Sequence, residues 1–169
     1  MTDETPSTRT RVLAAFNRLM FRHPGKRPPL AAVIAEAGIA RSTLYDHFGG
    51  RDDLLLEALK GPLSVVADVA AGGRDPAHLV NILDHFRERR KEAAGLFAGP
   101  LSARILRALG GQVRGRDPAL SETASLQLAG MMLGLIQLWL SGAAPSSAED
   151  LARLLADTAE VQRGVLKSR

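Results

Sequence analysis

Residues 40–48, ARSTLYDHF, bring together side chains that can recognise a ligand through hydrogen bonds. Arg41 carries a two-pronged guanidinium whose donors match the O6 and N7 acceptors of guanine. Ser42 and Thr43 follow it with two short hydroxyl groups. Tyr45, the one tyrosine of the chain, and His47 can reach sugar and phosphate oxygens, contacts that position a protein on DNA without selecting a sequence. This combination indicates a surface that binds nucleic acid.

Two short helices are predicted to position these side chains, over residues 30–37 and 41–48. Gly38 can adopt the left-handed conformation that ends one helix and turns the chain. Ile39, Leu44 and Phe48 are spaced to plug a small three-helix core. Two short helices that meet across a glycine turn predict a helix-turn-helix. In that motif the start of the second helix enters the major groove of DNA. Here that helix begins at Arg41, so the side chains from Arg41 onwards would face the bases.

The run PLAAVIAEAGIARSTLYDHFGGRDDLLLEAL, residues 29–59, resembles the helix-turn-helix signature of the TetR family of bacterial transcriptional regulators. By this resemblance, Arg51 stands where a basic residue, more usually lysine, grips a backbone phosphate. Ala40 departs from the pattern, because the family commonly has a serine or threonine N-cap there. Capping of the recognition helix then shifts to Ser42 or is lost, at a cost of about 1 kcal/mol. The candidate DNA-binding residues are Arg41, Ser42, Thr43, Tyr45, His47 and Arg51.

The distribution of charge along the chain places the expected nucleic-acid-binding surface in the same region. The chain carries +4, and residues 1–51 hold eight Lys or Arg against four acids, which accounts for all of it. The remaining 118 residues balance 14 bases with 14 acids. A polyanion is therefore expected to bind the N-terminal third.

The pattern of the whole chain predicts an all-α protein, because apolar residues recur every three or four positions without two-residue alternation. We expect a three-helix helix-turn-helix head at residues 1–51 and a helical ligand-binding and dimerisation domain at residues 52–169. Gly61 and Pro62 should kink the fourth helix. The predicted helices span residues 8–22, 30–37, 41–48, 51–71, 76–94, 100–113, 118–141 and 147–166.

The last two predicted helices suit a subunit interface. Residues 123–148 contain no charged side chain, which raises the question of a membrane span. The polar Gln127 and Gln137 within the stretch, and the lack of a Lys/Arg cluster beside it, argue against one. A helix that is apolar all round is otherwise buried on every side. The resemblance implies that these two helices form a four-helix homodimer interface, so that two recognition helices meet a double-stranded DNA operator about 34–36 Å apart.

The resemblance also implies an effector pocket between residues 76 and 141, which would take a small apolar ligand. Its candidate lining residues are large and apolar, with one amide for polar contact, although the same residues also suit a plain core. They are Phe86, Phe97, Leu101, Ile105, Gln127, Met131 and Leu135. We expect binding of this ligand to release the operator, as in a repressor.

Other classes of function find little support. The chain has no cysteine, which excludes disulfides and thiol chemistry, and no catalytic triad or phosphate loop stands in a credible context. The acids and histidines between His78 and Glu92 are interleaved with bases, which favours a solvated face over a metal site. We expect no enzyme activity, no cofactor, no membrane partner and a cytoplasmic location. The alternative is a TetR-like scaffold without specific operator binding that acts through protein contacts.

Overall fold

The computed structural model describes residues 6–22, 27–73 and 76–167, and its regular structure is helical, with no strand in those ranges. The all-α prediction is confirmed. The helices are α1 (Thr8–Arg22), α2 (Leu30–Ala37), α3 (Arg41–His47), α4 (Arg51–Ala70), α5 (Pro76–Glu88), α6 (Arg90–Ala98), α7 (Ser102–Arg116), α8 (Glu122–Ser141) and α9 (Ala148–Lys167).

The chain divides into two compact units, a head of Met1–Leu59 and a body of Lys60–Arg169. In the head, α1 packs on α2, and its apolar stripe supplies the centre of the core with the fully buried Val12 and Phe16. Leu44 and Phe48 are buried as predicted, whereas Ile39 is only half-buried. Val33 and Ala37 of α2 are buried as well, and α2 packs on both α1 and α3, so the three helices share one core.

In the body, α8 is the central helix and packs against α6, α7 and α9. Nine of its 20 residues are buried, including Met132 and Ile136, which are completely inaccessible. By length and composition α8 could cross a membrane, but half of its apolar stretch is buried within the protein. The core helix of a globular domain has these same properties.

One predicted helix is wrong. Residues 76–94 were expected to form a single helix with a break between Gly95 and Pro100, but the chain turns at Arg89 (φ −114°, ψ 39°) and α6 continues through Gly95. The reason is tertiary, since α5 packs on α9 and α6 packs on α8, and one straight helix cannot follow both partners. The fourth predicted helix, in contrast, continues through Pro62 to Ala70.

Candidate nucleic-acid interface

The turn between α2 and α3 is set by Gly38, whose φ of 63° and ψ of 46° place it in the left-handed region. Its N–H donates to the carbonyl oxygen of Ala35, and the N–H of Ile39 donates to that of Ile34. These bonds satisfy carbonyls that the end of α2 would otherwise leave unpaired. The chain then extends through Ala40 (φ −75°, ψ 155°) and enters α3 at once.

The side chains of α3 divide into a buried and an exposed set. Leu44 is completely buried, whereas Arg41, Ser42, Tyr45 and His47 are exposed. Thr43, predicted as a fifth DNA contact, is half-buried. The burial of Leu44 therefore holds four of the predicted contact residues of α3 on the outside of the head.

The recognition helix begins without a side-chain cap. Ala40 is its N-cap and makes no capping hydrogen bond through its side chain, and no bond from Ser42 replaces it in the described part of the chain. Of the two possibilities that the sequence left open, the structure therefore has the lost cap.

Arg41 and Tyr45 contact each other on the exposed face of α3. The guanidinium carbon of Arg41 lies 5.8 Å from the centroid of the tyrosine ring, at cation–π distance. The two residues are four positions apart, which places them one above the other on a helix. Their contact orders a charged donor and an aromatic ring on the surface predicted to meet DNA.

Arg51 is the first residue of α4 and is exposed. The start of α4 is stabilised by Asp53, whose carboxylate accepts the N–H of Gly49 at 2.7 Å, and by Asp52 in the same first turn. Within the described ranges, Arg27, Arg41 and Arg51 form no ion pair with a carboxylate. Their charge is therefore available to an external anion, while Lys26 lies outside the described residues.

Four other arginines of the head, all on α1, form hydrogen bonds or ion pairs with other residues of the head. Arg18 and Arg22 both pair with Glu36 of α2, each at 2.9 Å. These contacts were missed at the level of sequence, because the partners are 14 and 18 residues away and share no local spacing with the arginines. The other two, Arg9 and Arg11, contact the helix-turn-helix, and Arg9 also pairs with Glu57 of α4.

The hydrogen bond from Arg18 to Glu36 lowers the pKa of that carboxyl below its usual value, and the charge of Arg22 acts in the same direction. Partial burial opposes both effects but does not overcome them. Glu36 therefore holds α1 and α2 together as a carboxylate. Four of the eight bases counted in residues 1–51, namely Arg9, Arg11, Arg18 and Arg22, thus have partners within the head.

The predicted effector residues fall into two groups in the body. Phe86 and Phe97 are buried and meet edge to face, with ring centroids 5.7 Å apart, and Leu101 and Ile105 are also buried. The other three predicted residues lie on α8, where Gln127 is exposed and Met131 and Leu135 are half-buried.

Two cavities of the body are lined by other residues. The larger, about 620 Å³, lies between α9, the end of α4 and α5, and combines apolar Val69 and Val80 with charged groups of α9. The smaller, about 280 Å³, lies beside Trp139 and Arg90. None of the seven predicted effector residues lines either cavity.

The large apolar side chains of the body that are exposed lie, among the described residues, on α8 and α9. Leu138 is 49% exposed on α8, and Leu154, Val161 and Val165 are 49%, 69% and 46% exposed on α9. The three residues of α9 recur at spacings of seven and four, so they form one stripe along the helix. The charged residues that line the larger cavity, such as Arg153 and Glu160, lie on a different face.

The described residues contain no group of three or more His, Asp or Glu side chains that could hold a metal ion. The run from His78 to Glu92 instead includes an ion pair between Asp84 and Arg87, at 2.7 Å.

Comparison with known proteins is consistent with this geometry. Residues 13–58 match the family "Bacterial regulatory proteins, tetR family". The fold is similar to that of the solved structure "Dihydroxyacetone kinase operon activator DhaS", with a TM-score of 0.53 and 15% sequence identity over 94% of this chain and 97% of the other. No curated protein matches the chain. The family match covers all of α2 and α3, where the exposed donors lie.

Proposed function

Because the match of residues 13–58 identifies the chain as a TetR-family regulator, we propose that it binds a palindromic operator as a homodimer and represses transcription. The observation that carries this proposal is the row of exposed donors on α3, held outward by the buried Leu44. We assign DNA contact to residues 1–51 and effector binding and dimerisation to residues 52–169. The site of action is the cytoplasm, and no catalytic step is part of the proposal.

The six predicted residues have distinct roles at the operator. Arg41 reads a guanine edge in the major groove, with Ser42 and Thr43 beside it. Tyr45 and His47 contact the sugar-phosphate backbone, and Arg51 binds a phosphate.

Selection from a library of random duplexes tests this function directly. The full-length protein should enrich a palindrome whose half-sites are centred one helical turn apart, about 34–36 Å. Affinity for the enriched duplex should exceed that for a shuffled duplex by at least about 10³-fold at physiological salt. Equal affinity for both duplexes across a salt series would remove specific operator binding and favour a scaffold that acts through protein contacts.

A homodimer is supported by the exposed apolar side chains of α8 and α9. Large apolar side chains that recur along one exposed face of a helix favour an interaction site, because their burial releases water. A second copy of the chain would bury both helices symmetrically and supply the second recognition helix. Sedimentation of the purified chain at micromolar concentration should give twice the mass of 18.0 kDa.

Whether the protein represses or activates transcription is tested separately from DNA binding. The structural neighbour carries the name of an operon activator, so activation is the alternative to be tested. We propose repression, and a reporter fused to the selected operator should therefore rise when the gene is deleted. A fall would give an activator with the same DNA-binding mechanism.

A small apolar effector is proposed to bind among the seven residues named above, centred on the contact between Phe86 and Phe97. Such a ligand shifts DNA binding only if its affinity differs between the operator-bound and the free form. Titrating the operator complex with a panel of small apolar compounds tests this idea. Release of DNA by one compound, and loss of that response in Phe97→Ala, would locate the site.

A further inference from the structure

Two arginines of α1 reach backbone carbonyls at the ends of the two helix-turn-helix helices. Nη2 of Arg11 donates to the carbonyl oxygens of Ala37, at 2.9 Å, and Gly38, at 3.4 Å, where α2 ends. Nη1 of Arg9 donates to the carbonyl oxygen of His47, at 3.0 Å, where α3 ends. One helix thus holds the carboxyl ends of both its neighbours.

This arrangement fits the electrostatics of helix ends. The last carbonyls of a helix have no intrahelical partner, and the helix dipole makes that end negative. A guanidinium placed there satisfies the carbonyls and neutralises the partial charge. Since α2 and α3 have only eight and seven residues, their terminal carbonyl groups are a large share of all the carbonyl groups in each helix.

Arg9 is fixed from two further directions. Its guanidinium carbon lies 4.6 Å from the centroid of the Phe48 ring, which is itself buried. Its Nη2 forms an ion pair of 2.6 Å with Glu57 of α4. Arg9 therefore joins α1, the end of α3 and the first half of α4 through a single planar group.

These contacts direct the guanidinium of Arg9 toward the head. Nη1 donates one hydrogen bond to the carbonyl oxygen of His47 and Nη2 donates one to the carboxylate of Glu57, which also balances the charge of Arg9, while 45% of the side chain stays exposed. A charge count assigns such an arginine to the polyanion, but the geometry directs it inward.

We propose that Arg9 and Arg11 are positioning residues for operator recognition, which set the orientation of α3 and α2 and do not themselves contact DNA. The inference rests on the proposed operator binding. A recognition helix that is displaced or loosened still presents its charge to any duplex, but it no longer aligns its donors with base edges. Loss of either residue should therefore lower specificity more than it lowers affinity for random DNA.

The test compares arginines of the same helix that have different partners. Arg9→Gln and Arg11→Gln are compared with Arg18→Gln and Arg22→Gln, which remove the same charge from α1 but face the carboxylate of Glu36. Each variant is titrated against the duplex selected by the wild type and against a shuffled duplex, over a salt series.

We expect Arg9→Gln and Arg11→Gln to lower the ratio of specific to non-specific affinity about tenfold, the effect of losing a hydrogen bond to a charged group. Their salt slope on the shuffled duplex should stay that of the wild type. The two control variants should leave the ratio unchanged, because in each of them Glu36 keeps its other arginine partner. An equal loss on both duplexes with a slope shallower by about 1 would identify a phosphate contact and overturn the proposal.

Two further variants keep the test decisive if a glutamine variant fails to fold, as judged by circular dichroism. Arg9→Lys keeps the charge but cannot donate to His47, pair with Glu57 and stack on Phe48 together, so the ratio should recover only in part. Full recovery would make charge alone sufficient and contradict the proposal. Glu57→Gln leaves Arg9 in place, removes its ion pair and should lower the ratio in the same direction.

Failure of the proposed operator binding and failure of the positioning role give different results. A wild-type protein that selects no sequence refutes operator binding itself. A wild type that selects a palindrome, with an unchanged ratio in Arg9→Gln and Arg11→Gln, refutes only the positioning role.

Discussion

The guanidinium carbon of Arg41 lies 5.8 Å from the centroid of the Tyr45 ring on the exposed face of the recognition helix. The pair has no carboxylate partner within the described ranges, so the ring is the group that orders this cation. Stacking on an aromatic face leaves the edge of a guanidinium free to donate hydrogen bonds. This order in the free protein would lower the entropy cost of the contact with a base that we propose for Arg41.

Replacing Arg41 by alanine should weaken binding to the selected operator by about 1–3 kcal/mol and relax the preference at one base pair. The cause is the loss of a bidentate contact to guanine. Fluorescence anisotropy with single-base variants of the operator measures both effects. An unchanged preference at every position would show that another residue reads the bases.

Arg51→Ala removes the same charge at a position expected to meet phosphate. It should weaken binding to operator and shuffled DNA alike and make the salt slope shallower by about 1. Titrations of both duplexes over a salt series measure this. A selective loss on the operator would place Arg51 among the base-reading residues.

Val161→Glu should dissociate the proposed dimer, because it puts a carboxylate in the middle of the exposed apolar stripe of α9. The monomer should stay folded, since Val161 is 69% exposed. Arg153→Glu is the matched control, which adds the same group to the charged face of α9. Sedimentation of both variants should give a monomer for the first and a dimer for the second. A dimer in both cases would exclude this stripe from the interface.

Gly72→Ala should destabilise the body by about 1–2 kcal/mol. Gly72 has a φ of +95°, and an added Cβ would lie 1.8 Å from Nη1 of Arg163, whose side chain approaches the buried Asp117. Gly115→Ala is the control, because Gly115 is helical and has open space around it. That change should stabilise by roughly 0.4–1 kcal/mol. Urea unfolding compares the two, and equal effects would argue against a strained backbone at position 72.

The stability of the head should depend on pH through Glu36. Its pKa is lowered in the folded protein, chiefly by the hydrogen bond from Arg18. The carboxylate therefore contributes stability above 4.5, the usual pKa of a glutamate, and this contribution is lost as the pH falls through the lower folded pKa. Urea unfolding of the wild type and Glu36→Gln should differ near neutral pH and converge in acid. A difference that persists in acid would mean that Glu36 acts through packing and not through its charge.

Local sequence determined the helix-turn-helix. The left-handed Gly38, the buried Leu44 and Phe48, and the exposed Arg41, Ser42 and Tyr45 all follow from spacing within some ten residues. Each of these features depends on backbone conformation or helix periodicity, which neighbouring residues control. The family, the recognition helix and its outward face could therefore be predicted without coordinates.

Tertiary structure alone decided which arginines of the head are available to DNA. Arg9 bonds to His47 and Glu57, which are 38 and 48 residues away, and composition cannot distinguish it from Arg41. The break at Arg89 has a similar origin, since no glycine or proline marks it and the packing of α5 and α6 on different helices imposes it. Contacts between distant parts of the chain depend on how helices pack, and packing is a property of the whole fold, so no local pattern in the sequence encodes them.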